Sequence, residues 1–560
     1  MGGRLEIITD KAVRKIESGG KGRVIDDVLR SMAEKIAAAA PPKWRRAELR
    51  GFATGGGGSG HSGLTYEPGA GGGDVDLHAE LCAVHTLAGP AADHLTVELV
   101  VEAKGRFEAV VSESLERAHG GGFLYVLDRH ELPAEPAAFQ QGPAESTQAG
   151  DPREAVALLG AYLRERDRVL GRDTYAPPPA LPEASRAELA MGLPDDLRAL
   201  YAHIDGDGGE GLLDRHPWFG LEMLVSQSRP ENRWWAAGRA WRDHLRNPLI
   251  TSTGPRLAVR RASDHPGWIP FATSTGGDFL AVDLAPGPGG RSGQVIRVGV
   301  HHGDGPVYVA DSVTGLLRRH VAALRAGAYR IEDGELWIDV EEPEEEPRAL
   351  VVAGADAASM RGMRPGIERL TVLNAPWADF RPLRGTPTLW QLTVENVPGA
   401  DLGPLRDTPV ELLDLAMDAI DLWPLAGHAT LRRLTLRTAS PVDLTPLVSC
   451  PRLYGLDLSQ ATVNDLGVLA DLKNLLYLRL RRAQWEELWE RAGHPAGLAA
   501  AELAAEPPRE RAWWWSVDRS YHAPEPSLRT AVKWATDLAG RSADVRTFAG
   551  RFARGGSASR

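Results

Sequence analysis

The sequence predicts a multidomain fold: an α+β domain at the N-terminus, a second α+β domain in the middle and a solenoid of short repeats towards the C-terminus. Three observations predict it. The chain has 560 residues, too many for one hydrophobic core when domains run to roughly 100–200 residues. Stretches rich in proline, glycine or acidic residues interrupt it at 131–153, 177–179 and 341–347. Leucines recur in fixed phase from about residue 350 to 485. The resulting divisions are an α+β domain at 1–135, a linker and helix at 136–182, the central domain at 183–335, an acidic linker at 336–349, repeats at 350–490, and a basic, Trp-containing cap or tail at 491–560.

Composition narrows the function classes. The formal net charge is -11, and an acidic surface repels phosphate backbones, so no nucleic-acid partner is expected and a basic protein is favoured. The two cysteines, Cys82 and Cys450, fit no metal-ligand spacing and exclude a disulfide framework; they suit a reducing cytosol. Neither a signal peptide nor a membrane span is legible, so the expected location is cytoplasmic, without membrane contact. The abundance of arginine over lysine, with much alanine and glycine, reads as a GC-rich bacterial genome.

At the N-terminus, Val24, Val28, Leu29, Met32, Ile36 and Ala40 fall at helical spacing, and Pro41-Pro42 ends that helix. Trp44 to Leu49 alternates as a strand, and 95–100 with 107–111 form a hairpin closed near Gly105. A helix ending in Pro-Pro-x-Trp before such strands resembles the YezG-like immunity proteins. A further helix spans about Glu154 to Leu170.

The central segment opens with Leu193-Pro194-Asp195-Asp196-Leu197, a helix start, and continues through Trp268-Ile269-Pro270-Phe271 and Gly277-Asp278-Phe279 to Asp283. Gly290, Gly293-Gln294-Val295 and a closing helix from about Val313 to Leu324 follow. That ordered set resembles the SUKH superfamily, which contains a yeast cell-wall-assembly regulator and many bacterial immunity proteins. The insert from Trp218 to Arg261, with Trp234, Trp235 and Trp241, departs from the family's usual length. The resemblance implies a concave face that holds a protein partner, and no catalytic residue. Asp278 and Asp283 stand at strand ends, where each carboxylate either caps a turn or lines that cleft.

Five segments from Asp379-Phe380-Arg381-Pro382-Leu383 to Asp465-Leu466-Gly467-Val468-Leu469 recur about every 22 residues. Between them lie strand-type triplets such as Leu389/Leu392/Val394 and Leu431/Leu434/Leu436. The pattern resembles a bacterial leucine-rich repeat. It lacks the family's usual Asn, because Ala375, Val397, Asp418, Ala439 and Ala461 occupy that position, so backbone groups at the bend need other partners. Alternation along each strand turns Thr371, Thr393, Asp414, Thr435, Asp457 and Arg479 away from the core. Tyr477, Arg479 and Arg481 are the strongest expected partner patch on that face, with Asp414 and Asp457 beside them.

Enzyme chemistry is thinly represented. Neighbouring His301 and His302 on a strand point to opposite faces and make a poor metal pair. Ser59 and Ser62 complete no nucleophile motif, and Cys82 near His85 reads as packing. No cofactor or metal is expected. Trp513-Trp514-Trp515 either caps the repeats or anchors a partner. The primary reading is a non-enzymatic immunity or antitoxin-like protein that neutralises a toxin domain by direct binding. The alternative is an intracellular scaffold or regulatory adaptor that recruits a protein partner through its repeats. A hydrolase hidden in the N-terminal domain is the third.

Overall fold

The computed structural model describes residues 21–54, 59–68, 75–89, 94–118, 121–173, 175–189, 192–213, 215–229, 232–233, 245, 251–274, 276–302, 304–332, 334–340, 348–506 and 525–552. Trp234, Trp235, Trp241, the acidic run 341–347 and Trp513 to Trp515 lie outside them. The chain divides into two compact units. One combines residues 1–131 with 349–560, and the other is 132–348.

The discontinuous unit begins with helix α1 (Lys21–Ala38), which turns Ile25, Leu29, Met32 and Ile36 into the core. Strands β1 (Arg46–Thr54) and β2 (Ser59–Glu67) follow, then helix α2 (His78–Ala88) and strands β3 (His94–Glu102), β4 (Arg106–Ser112), β5 (Leu115–Arg117) and β6 (Gly122–Val126). The hairpin expected near Gly105 is the β3–β4 pair, with Glu102 opposite Arg106.

The second unit starts with α3 (Pro152–Leu170), capped by the Asp151 carboxylate, which accepts from the amides of Arg153 and Glu154. Helices α4 (Glu183–Leu189), α5 (Asp195–Tyr201) and α6 (Leu221–Ser228) follow. An antiparallel sheet of β7 (Trp268–Thr273), β8 (Asp278–Asp283), β9 (Gln294–Gly299) and β10 (Val307–Ala310) has the order β10-β9-β8-β7. Helix α7 (Val313–Ala326) and the hairpin β11 (Tyr329–Glu332) and β12 (Glu335–Ile338) close it. Ala155, Leu159 and Tyr162 of α3 share one core with Leu197, Leu280, Val295 and Leu317. The helix assigned to a linker is therefore part of this unit, because its apolar face is buried there. A second core holds Val259, Trp268, Phe279, Ile296 and Val298, so the sheet is covered on both faces.

The repeats return to the first unit. Strands β13 (Ala349–Ala353), β14 (Arg369–Leu373), β15 (Gln391–Glu395), β16 (Leu412–Met417), β17 (Arg433–Thr438), β18 (Gly455–Gln460) and β19 (Tyr477–Leu480) pair in parallel, each with the next. One short helix, α8 (Ala355–Ser359), follows β13, and α9 (Arg482–Arg491) follows β19. Leu370, Leu392, Leu413, Leu434, Leu456 and Leu478 lie opposite one another in register and are buried in one cluster. Each repeated Asp ends its strand-to-turn passage the same way. Asp379, Asp401, Asp421, Asp443 and Asp465 each accept from the backbone N–H two residues on, at 2.8–3.0 Å. The carboxylate mimics a backbone turn and starts a 3₁₀ turn in every repeat.

The missing Asn ladder is replaced piecemeal. The Asn374 amide donates to Glu395 O, the Ser440 amide to Asp418 O, and Gln484 Nε2 to the carbonyls of Leu458 and Ala461. Asn374 and Asn396 adopt φ of 50° and 57°, a conformation Asn tolerates better than most residues, and their side chains bond each other.

The repeats do not end at residue 490. Strand β20 (Ala500–Ala504) continues the parallel ladder from β19, and β6 then pairs with it antiparallel. At that junction Gly122 has φ 116°, and a Cβ there would lie 2.3 Å from Leu503 O. Only glycine fits. The C-terminal segment then crosses back. Helix α10 (Leu528–Ala539) buries Leu528, Ala531, Trp534 and Leu538 in the repeat core, and β21 (Arg546–Arg551) joins the N-terminal sheet beside β4, giving the order β2-β1-β3-β4-β21. Residues expected to form a separate cap or tail thus complete the N-terminal sheet, and residues from both ends of the chain share one core.

A buried ion cluster ties these pieces together. Arg117 reaches Glu98 at 2.8 Å, Glu48 at 3.1 Å and Glu525 at 2.5 Å. Burial pushes the Glu98 carboxyl up to about 7, against the opposing pull of Arg117. A carboxyl raised from 4.5 on folding makes the native state bind more protons than the unfolded chain between those values. Its contribution to stability is therefore complete below about pH 4.5 and lost as pH rises through about 7. The expected result is that Glu98→Gln flattens the decline in melting temperature of this unit between pH 5.5 and 8. An equal decline in both proteins, read by circular dichroism, contradicts this assignment.

Candidate functional site

Two places carry the residues expected to act. The first is the end of the central sheet. Asp278 opens β8, and its carboxylate accepts from the His301 amide at 3.1 Å and faces His301 Nδ1 at 3.1 Å and His302 Nε2 at 4.0 Å. Gly299, at φ 142°, lets the turn approach, since a Cβ there would meet Asp278 Cα at 2.5 Å. His301 and His302 stand in the turn after β9, so strand alternation does not separate them. Both rings converge on one carboxylate. Burial lowers the His302 pKa, opposed by Asp278 and assisted by Arg297, His301 and His216. Among the described residues, no group of three or more His, Cys, Asp or Glu side chains could hold a metal ion.

Asp278 is accessible only at its edge, and its hydrogen bonds tether the 299–302 turn. The expected result of Asp278→Ala is a loss of about 1.5–3 kcal/mol, the range for hydrogen bonds to a charged group, measured by urea titration. No loss leaves the carboxylate without a capping role. Asp283 is fully buried. It accepts from the Ala285 amide and Gln294 Nε2 at 2.9 Å each, and burial raises its pKa to about 6 against those two bonds. The expectation that Asp283 faces a partner is corrected accordingly, since its carboxylate is used up pinning β8 to β9. Trp268 is buried in the core, as is Phe279.

The second place is the face of the parallel sheet opposite the leucines. The register sets Thr371, Thr393, Asp414, Thr435, Asp457, Arg479 and Glu502 in one row. Charges alternate across neighbouring strands. Arg437 pairs with Asp414 at 2.7 Å and Glu395 at 3.4 Å. Arg479 pairs with Asp457 at 2.8 Å and Glu502 at 2.9 Å. Burial raises the Asp414 pKa against Arg437. At Asp457 the same burial is outweighed by Arg479 and by the Ser459 hydroxyl and amide, so its pKa is lowered.

The row is not uniform. Asp457, Tyr477 and Glu502 are buried, whereas Thr371, Thr393, Glu395, Asp414 and Arg437 are partly exposed. Tyr477, expected to lead an exposed patch, has its ring 1% exposed, and its hydroxyl donates to Glu502 Oε2 at 2.7 Å. Arg433 lies over that ring at 4.7 Å. Arg479 is committed to two carboxylates, and the Arg481 amide is bonded to Gln484 Oε1 at the start of α9. Tyr477 and Arg479 therefore belong to an internal network with Asp457 and Glu502, whereas Arg481 stays partly exposed beside it. Glu502 was missed because 499–504 carries small residues and one leucine, so the extra repeat was invisible to leucine spacing. The face left accessible lies towards the earlier repeats, around Thr393, Glu395, Asp414 and Arg437.

Comparison with known proteins bears on the first of these places. Residues 182–319 match the SMI1 / KNR4 family (SUKH-1). A cell wall biosynthesis/cell cycle regulator, smi1, of Schizosaccharomyces pombe is 32% identical over 167 residues, covering 27% of this chain and 30% of that protein. A glucan synthesis regulatory protein of Neurospora crassa is 38% identical over 93 residues, 17% of each chain. The cell wall assembly regulator SMI1 of Saccharomyces cerevisiae is 35% identical over 79 residues, 14% of this chain and 15% of that one. The chain spans less than a third of the length of each of these relatives. These relatives are fungal and named as regulators, with no catalytic family and no toxin-immunity protein among those names. Similar solved structures include an internalin C2 from Listeria monocytogenes, at 20% identity and TM-score 0.21 over 25% of this chain and 67% of that one. Another is an internalin, inlF, from the same organism, at 24% identity and TM-score 0.20 over 24% and 47%. The chain therefore carries an SMI1/KNR4-type (SUKH-1) domain in its middle, at residues 182–319, followed by the leucine-bearing parallel strands already described.

Proposed function

We propose that this protein is a non-enzymatic regulatory adaptor of the cytoplasm that holds a protein partner. The observation that carries the reading is the match of residues 182–319 to a family whose fungal relatives are named as regulators. The names favour this over neutralisation of a toxin. The repeats supply the docking surface as a short solenoid, with a partly exposed polar row of Thr371, Thr393, Glu395, Asp414 and Arg437. Such a mixed-charge surface fits a protein better than a lipid or an apolar cofactor. The SUKH-1 unit, with Asp278 at its accessible edge, supplies the second contact.

The test is affinity capture from the native host with the intact chain and with a Thr371→Arg/Thr393→Arg variant. Both threonines are partly exposed and face away from the leucine core, so the variant keeps its melting temperature. The adaptor reading expects specific capture by the intact chain and at least a tenfold weaker affinity, about 1.4 kcal/mol, in the variant. Equal capture by both sinks the repeat face as the docking surface. Recovery of a toxin domain as the specific partner returns the immunity reading.

A further inference from the structure

A thiol outside both places described above has an unusual setting. Cys82 sits one helical turn after His78 on α2, so their side chains share a face. Cys82 Sγ lies 3.9 Å from His78 Nε2. On the other side of the ring, His78 Nδ1 lies 2.6 Å from Ser59 Oγ, at the start of the edge strand β2. Ser59 Oγ also lies 3.3 Å from His78 O. A hydroxyl has one proton. Given to that carbonyl, it leaves the Ser59 oxygen to accept from Nδ1–H. In that neutral tautomer the Nε2 lone pair is turned towards the thiol. The Asp76 carboxylate accepts from the His78 amide at 3.0 Å and steadies the helix start. Cys82 is in thiol form and half-buried, and its helix face is shared with exposed His78.

We propose that Cys82 is an activated thiol, a site of reversible modification by low-molecular-weight disulfides, with His78 as its base and Ser59 as the positioning residue. The thiol proton passes to His78 Nε2, and the thiolate attacks one sulfur of the incoming disulfide. That S–S bond breaks as the new one to Cys82 forms, and the departing thiolate takes the proton back from His78. Nothing is consumed beyond the disulfide, and the step is stoichiometric, so it is compatible with a non-enzymatic adaptor. The mixed disulfide would place a bulky, charged adduct on the exposed face of α2. His85, three residues on, is also within a helical turn of Cys82, but its side chain is buried; the exposed ring at 3.9 Å from the thiol is that of His78.

The chain carries its own control. Cys450 is 5% exposed and its thiol is bonded to Leu425 O at 3.2 Å. The experiment treats the full chain with oxidised glutathione at neutral pH and follows adduct formation by intact mass and peptide mapping. The expected product is one adduct, on Cys82, with Cys450 unmodified. His78→Gln removes the base and is expected to slow the reaction about tenfold. Ser59→Ala slows it in the same direction by a smaller factor. Both positions lie outside the buried core, and unchanged melting curves confirm that the variants are folded. Modification at the same rate in both variants, or no adduct on Cys82 in the parent, overturns the proposal.

Discussion

Leu434→Ala is expected to cost about 2–5 kcal/mol, the range for emptying a leucine site in a packed core. Leu434 is completely buried between Leu413 and Leu456, its register partners on either side. A stack of one-strand repeats has few ways to collapse around the gap, because each leucine is held in place by the two ladders that flank its strand. The loss is not confined to the repeats. The same core contains Val110, Leu115 and Phe123 from the N-terminal segment, and Leu528, Trp534 and Leu538 from the C-terminal helix. Urea melts followed at the N-terminal sheet and at the repeats should therefore shift together by the same amount. Separate transitions, with the N-terminal sheet unmoved, contradict a shared core.

Arg117→Ala is expected to cost about 3–5 kcal/mol at pH 8, the cost of leaving a buried carboxylate without its counter-charge. Glu98 and Arg117 have side chains 6% and 7% exposed, so water cannot replace the lost guanidinium. Glu48 and Glu525 lose the same partner, which releases the C-terminal segment at the point where it enters α10. The effect carries a pH signature. Glu98 already titrates near 7 with Arg117 present, and without it the carboxyl rises further. The variant should therefore recover part of its stability at pH 5.5, where Glu98 takes up a proton. Adding Glu98→Gln to Arg117→Ala should restore most of the loss at pH 8. Denaturation at the two pH values measures both. A loss of equal size at pH 5.5 and 8, or no rescue, shows that Arg117 acts through packing alone.

The strongly periodic parts of this molecule are legible in its sequence. The leucine triplets predict the strands from 369 to 480 and their register, because a two-residue period and a repeat of about 22 residues leave little freedom. The helix at 21–38, the 94–112 hairpin and the Asp turns follow from equally local chemistry. What is not legible is long-range. Nothing local announces that Arg546 to Arg551 pairs with β4, since a strand with Phe548 as its one large apolar residue specifies no partner. The extra repeat at 500–504 is hidden because alanine packs where leucine stands elsewhere. The site residues divide on the same line. Asp278 can be placed near an accessible edge from its alternation with Phe279, the inward residue. Tyr477 and Asp283 cannot be recognised as buried, because burial there comes from Glu502 and Gln294, partners that no spacing rule connects to them. The convergence of His301 and His302 on Asp278 depends on a turn where a strand is the natural reading.

The adaptor account turns on where a partner touches the chain. Hydrogen–deuterium exchange of the intact protein, alone and with the partner recovered by capture, tests this most directly. The account predicts slowed exchange in strands 391–395, 412–417 and 433–438, and at the 299–302 turn beside Asp278. Slowed exchange confined to the N-terminal strands 46–67, with both of those places unchanged, would contradict it.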